Sequence, residues 1–351
     1  MNNLKKIKKL ENNFDIIGFS ASIADIMLPI KYSPNQKYDY KYLFACLYDF
    51  INTSTSWNKY RGFENFPING KYLNQIHNKL VNNGVYEEIN RQLLNIYLKK
   101  GKEVKLKYQM IDSSFIRNKV GSIKNNNHLL SDQVKEKNKI IEEENKIIDK
   151  ENKIIDEINK NKSNRNDQLP HKRKKKKETF IDHNRYNGRK KYFKVSTITD
   201  SVGTPLVSTI ISSKQSDSIS ITETINKIPI ELNTLKNSKI NRYKQYFLAD
   251  AGYDSKKNKL YLKKIGYTPI IAYNKKNQKN KKIIELNKLK GKELKIYKKR
   301  NIVESFFSWI KNYAIINQNY QKTIKSYNGL LLSASSILIS KRININFSLK
   351  A

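Results

Sequence analysis

The hydrophobic period of the chain changes at residue 105, and that change limits its fold more than any other feature. Leu106, Tyr108 and Met110 alternate with Lys105, Lys107 and Gln109, the spacing of a strand with one buried face. The strand runs into Ile111 and Asp112. Further strands are expected over 192–199, 205–211, 246–249 and 268–273, with Asp200-Ser201-Val202-Gly203 as the hairpin turn between the first two of these. Helical spacing predicts helices over 218–228 and 255–264, and one long helix from about Glu293 to Asn312. Three strands, helix, strand, helix, strand, helix is an α/β order.

Residues 1–104 read differently, as helices. Positions 40–50 are dense in aromatics and leucine. Leu73, Ile76 and Leu80 repeat at helical spacing, Asn83-Gly84 stops that helix, and Ile89, Leu93, Leu94 and Leu98 share one face of the next. Short helices rich in Lys and Tyr suit a helix-turn-helix-like DNA-binding module, and equally a plain helical packing domain. The expected organisation is therefore a helical domain over 1–104 followed by an α/β domain over 105–345.

Two segments interrupt that second domain. In 129–167 an Asn-Lys-Ile-Ile motif begins at Asn138, Asn145 and Asn152, each copy followed by acidic residues. A coiled-coil seam needs two apolar layers per heptad, whereas here Glu144 and Glu151 stand where the second layer belongs. A solvated helical insertion is the expectation. The run 171–177, which includes Lys172 and Arg173, is either a phosphate-binding or nuclear-import patch or a solvated linker.

Charge narrows the partner. Lys and Arg number 69 against 31 Asp and Glu, for a formal net charge of +38. Such a surplus repels itself unless it meets a polyanion, and nucleic acid is the abundant one. Hydrophobic residues at 38% are enough for a real core. The single cysteine, Cys46, excludes a disulfide framework or thiolate cluster, and the four histidines have no zinc-ligand spacing. No apolar core with a small-residue cleavage site follows Met1, so no secretory signal is expected. The most apolar stretch, 330–339, is too short for a bilayer and is broken by serines. A protein acting away from membranes, with the nucleoid in the cytoplasm or in a nucleus, is expected.

Three acids occupy positions that structure alone does not demand. Asp112 is placed at the end of the first strand and Asp250 at the end of another, where α/β folds build their sites. On the long helix, Tyr297, Arg300, Glu304 and Lys311 fall within roughly 60° of one another at helical pitch, while Ile302, Val303, Phe306, Trp309 and Ile310 point away. One face packs on the sheet; the other presents an acid beside two cations and a phenol. An amphipathic helix with an ion-paired face accounts for the separation of faces but not for the residues that fill the polar one.

The order Tyr297-x2-Arg300-x3-Glu304-x6-Lys311 resembles the Y-R-E-K signature of insertion-sequence transposases of the DDE superfamily. Asp112 in Ile-Asp-Ser-Ser resembles that family's first acid, and Asp250 in Ala-Asp-Ala-Gly-Tyr-Asp-Ser its second. Gly188-Arg189-Lys190-Lys191, the strand pair around Asp200-Ser-Val-Gly-Thr-Pro, and Ser216-Asp217-Ser218 are similar too. The likeness covers about residues 105–313. It implies an RNase H-like mixed sheet flanked by helices. It also implies two Mg²⁺ ions (Mn²⁺ can substitute) on Asp112, Asp250 and Glu304, and cleavage and strand transfer on double-stranded DNA, both transposon ends and target. Tyr297, Arg300, Lys311, Arg189, Lys190, Lys172 and Arg173 are the expected DNA contacts, and a homodimer is the expected active form. The interval from Asp250 to Glu304 leaves no room for the large β insertion of some relatives. A domesticated endonuclease and a non-catalytic transposon-derived DNA-binding protein are the other readings.

Overall fold

A computed structural model of the protein describes residues 15–29, 37–53, 56–99, 105–120, 182–183, 191–228, 244–277 and 280–348. The insertion at 129–167, the basic run at 171–177 with Lys172 and Arg173, and Arg189 and Lys190 all lie outside the described residues.

The first described elements are α1 (Ile16–Met27), α2 (Tyr40–Thr53), a ribbon of β1 (Gly62–Phe63) and β2 (Phe66–Pro67), α3 (Gly70–Asn82) and α4 (Val85–Leu98). Asp15 opens α1 by accepting the Ile17 and Gly18 amides, and Asn69 opens α3 by accepting that of Lys71, each relieving backbone donors that a helix leaves unpaired. The expected helices at 72–80 and 85–98 are α3 and α4. The two-residue strands of the ribbon carry no alternation that could have announced them.

The α/β part follows as β3 (Tyr108–Asn118), β4 (Asp182–His183), β5 (Lys191–Thr199), β6 (Pro205–Ser212), α5 (Asp217–Ile225), β7 (Gln245–Ala249), α6 (Lys256–Lys264) and β8 (Tyr267–Ile271). It closes with α7 (Lys281–Leu286), α8 (Gly291–Tyr297), α9 (Ile302–Ile310), α10 (Ala314–Asn317), β9 (Gln318–Asn319) and α11 (Ile324–Ser348). The expected strands and helices appear in the expected order, joined by β4, α7, α10, β9 and α11, which periodicity did not announce, and two of them differ in extent. Strand β3 does not stop at Asp112 but continues to Asn118, because antiparallel pairing with β5 persists as far as Arg117↔Tyr192. The single helix expected over 293–312 is α8, a 3₁₀ turn at Lys298–Asn301, and α9. Buried Ile296 and Val303 anchor the two ends, and the Lys-Lys-Arg-Asn run between them offers nothing apolar to hold an α-turn against the sheet.

The sheet is mixed. β5 stands between β3 and β6, antiparallel to both, and its other end also pairs β4. On the far side β7 runs parallel to β3, and β8 parallel to β7. The outer edge of β3 is shared: β7 takes Tyr108–Met110 and β9 takes Arg117 and Asn118. Between them, residues 111–116 have no strand partner on that edge among the described residues.

Helices cover both faces, as a sheet with buried polar and apolar residues requires. On one face Phe193 meets the ring of Tyr327 from α11 edge-on at 4.9 Å. On the other, Ser196 Oγ takes a hydrogen bond of 3.0 Å from Thr224 of α5. Helix α11 also packs against α4 and α3, so the N-terminal helices and the sheet share one core. At Gly329 a Cβ would come within 2.6 Å of Val81 and 3.0 Å of His77; the crossing is that close because glycine stands there. No described helix is long and apolar enough to cross a membrane.

Candidate active site

Asp112 and Ser113 are neighbours in β3, so their side chains leave opposite faces of the sheet. Asp112 lies across from Thr197, and Ser113 across from Ser196 on the α5 face. The parallel register that pairs Met110 with Leu248 brings Asp112 level with Asp250, the residue after β7. Asp250 Oδ1 accepts the Gly252 amide at 2.8 Å and caps the 3₁₀ turn Ala251–Tyr253. Asp112 Oδ1 accepts the Ser113 amide, also at 2.8 Å.

The open edge of β3 is where α9 comes in. Val303, Phe306, Phe307 and Ile310 are buried, which turns Glu304 away from the core with 52% of its side chain exposed. Arg300, in the 3₁₀ turn one helical step earlier, joins the acids. Its Nη2 donates to Glu304 at 2.7 Å and its Nη1 stands 3.5 Å from Asp112 Oδ2. Arg300 is 15% exposed and Asp112 21%.

Electrostatics tie the remaining residues to this group. Burial, with smaller help from the charges of Asp250 and Glu304, pushes the Asp112 carboxyl up to about 6 against the pull of the Ser113 amide and Arg300. Burial pulls the Lys311 ammonium down while the Asp112 charge holds it up. Burial raises the Tyr297 phenol, opposed by Arg300, with Asp250 and Asp112 adding to the rise; the Arg300 guanidinium carbon stands 6.0 Å from that ring. The structure thus gathers Asp112, Asp250, Glu304, Arg300, Tyr297 and Lys311 in one neighbourhood. It does not draw them into a closed set: among the described residues no three His, Cys, Asp or Glu side chains are grouped to hold a metal ion. A guanidinium stands between two of the acids instead.

In the sequence Ser216-Asp217-Ser218 stands out by its likeness alone, and the contacts Asp217 makes are not legible there. Asp217, in the first turn of α5, accepts from Ser113 Oγ at 2.8 Å and pairs with Lys194 Nζ at 3.0 Å. Lys194 is buried in β5 and also donates to the Gln215 carbonyl. A Cβ on Gly252 would lie 3.0 Å from Asp250 Oδ1 and 3.5 Å from Asp217 Oδ2, so that glycine lets the two carboxylates approach. The Tyr253 hydroxyl is buried there beside Ser113 and Ser220. Lys194 in the middle of an apolar strand was the available signal, since a buried lysine needs an acid. Asp254 is a turn anchor, accepting the Asn274 amide at 2.9 Å and pairing with Lys259 at 2.6 Å.

A family model described as the transposase DDE domain matches residues 121–339, a span that includes Asp250 and Glu304 and begins after Asp112. No curated protein and no solved structure matches the chain.

Proposed function

The chain belongs to the transposase DDE domain family, and from that premise we propose that it cuts and rejoins double-stranded DNA at the cleft where α9 meets the open edge of β3. Asp112, Asp250 and Glu304 are the residues that hold divalent metal. The observation that carries this reading is the convergence of three carboxylates from β3, the end of β7 and α9, close enough for Asp250 and Glu304 to raise Asp112. The donor set fits Mg²⁺, a hard cation that takes carboxylate oxygens, and Mn²⁺ can replace it. When bound, two such ions supply positive charge to the attacking and leaving oxygens of an in-line phosphodiester displacement.

The chain's own residues prepare that site. The Ser113 and Gly252 amides orient one oxygen each of Asp112 and Asp250; the second oxygen of Asp112 faces Arg300. Arg300 grips DNA phosphate with its planar fork and Lys311 with a point charge; Tyr297 lies beside them to stack on a base or bond a phosphate. Strand order β6-β5-β3-β7-β8, with β3 antiparallel to β5 and parallel to β7, supports an RNase H-like fold. In the same reading residues 1–104 bind the transposon ends, assisted by Lys172, Arg173, Arg189 and Lys190. A homodimer joins two ends, and the protein works with the nucleoid or in a nucleus.

The test is amide substitution. Asp112→Asn, Asp250→Asn and Glu304→Gln each abolish cleavage in Mg²⁺ while duplex binding stays within a few-fold. Near-normal cleavage by any one of them removes that residue from the assignment.

A further inference from the structure

Arg300 is the one residue of the cleft whose position does not match the work assigned to it. A phosphate-binding guanidinium should face the groove; this one is 15% exposed and turned onto Asp112 and Glu304. Its Nε is buried with no hydrogen-bond partner among the described residues, an expensive state for a charged group's donor. Among the described residues Arg300 is the cation that pairs with these carboxylates, while Lys311, on the same polar stripe, acts on Asp112 only through its charge.

We propose that Arg300 is the resident counter-ion of the DNA-free site and couples metal uptake to DNA binding. Without DNA its guanidinium holds Asp112 and Glu304 and disfavours a divalent cation. A DNA phosphate draws it outward and frees the acids. The inference rests on the assignment of those acids as metal-holding residues.

Three features carry it. The first is like-charge repulsion: a cation entering among these carboxylates meets a guanidinium within a few ångströms, in a partly desolvated cleft where charges act strongly. The second is the ease of release. The contact to Asp112 is long at 3.5 Å, and the tighter one is to Glu304, whose side chain is 52% exposed; exposed pairs hold weakly. The third is the better partner outside. A phosphate accepts two parallel N–H bonds from the fork, which the present arrangement, with one close bond and an idle Nε, does not provide. Because binding couplings are reciprocal, metal then strengthens DNA binding through the same residue. Metal ions in free solution are thereby kept from an open, solvent-accessible site until a substrate is there.

Calorimetric titration of Mn²⁺ into the full-length, DNA-free protein tests this without reference to activity. Arg300→Gln binds Mn²⁺ at least about tenfold tighter than the wild type, the change expected when one close cation is removed. Arg300→Lys, which keeps the charge but reaches only one acid, lies between them and serves alone if the glutamine variant does not fold. Equal or weaker Mn²⁺ binding in the folded variants overturns the proposal. Asp112→Asn in the Arg300→Gln background separates the two layers of argument. If it abolishes Mn²⁺ binding, the acids are correctly assigned whatever the effect of Arg300. Tight binding that survives it overturns the acid assignment and this proposal with it.

Discussion

His77 offers a prediction that depends only on packing. It is fully buried where α3, α4 and α11 meet. Its Nε2 lies 2.9 Å from the Ser326 carbonyl, which can only accept, so Nε2 carries the proton; Nδ1, 2.9 Å from the Tyr86 hydroxyl, accepts from it. The neutral ring is therefore satisfied, and a second proton would place a charge in the core. Burial accordingly holds its pKa down at about 4, against 6.5 for a free imidazole. The unfolded chain binds that proton below 6.5 and the folded protein does not until about 4, so stability is full above pH 6.5 and is lost as pH falls through that window. At about 1.36 kcal/mol per pH unit the loss is on the order of 3 kcal/mol. Asp112, raised by burial, contributes with the opposite sign, so the measurement is a difference. His77→Gln keeps a donor for Ser326 and cannot ionise. Urea unfolding of both proteins should show the wild type ahead by about 1–3 kcal/mol at pH 8 and level or behind near pH 4. A difference that stays constant from pH 8 to pH 4 refutes the argument.

Further outcomes follow from the same structure. Gly252→Ala brings a Cβ to 3.0 Å from Asp250 Oδ1 and should cut DNA cleavage at least about tenfold through misplacement, with little change in the melting curve; unchanged cleavage removes the close approach from the mechanism. Duplex binding should weaken steeply with salt, since each neutralised phosphate releases counterions. Neutralising 171–177 should lower affinity for all sequences alike, and a loss confined to one sequence would mean that the run reads bases. Deleting 131–162 should leave nicking and paired-end joining measurable, because each doubling of loop length changes closure by only about 0.6 kcal/mol. Loss of joining alone would assign the repeats to assembly.

Periodicity carried the α/β order far because each strand and helix writes its buried face locally. Tyr108 and Met110, or Ile89 and Leu93, need no knowledge of the rest of the chain. What periodicity could not express is partnership. The extension of β3 beyond Asp112 is decided by β5, dozens of residues away, and the 3₁₀ turn at Lys298–Asn301 by where Ile296 and Val303 find the sheet. Helix α11 went unread for a related reason: with apolar residues and small serines on all sides it has no polar face, and it is buried among several partners. The acids were singled out by position and likeness, yet the contacts that organise them were not visible. Nothing in Ser113 or Asp217 taken alone predicts a 2.8 Å bond between them, nor does a helical stripe say that Arg300 leans inward rather than out.

The packing of α11 on α3 and α4 has a consequence for how the protein is made. His77, Tyr86 and Asn90 of α3 and α4 precede the whole α/β part in the chain, while α11, the helix they pack against, follows it. Until α11 is made, these helices lack its cover and the sheet lacks Tyr327 against Phe193. Closure of this core therefore waits for α11, a topology with many distant contacts that folds slowly. A chain cut before α11 is a sticky fragment for proteases and chaperones. The order of its helices thus makes the docking of α11 a check on the folding of a transposase.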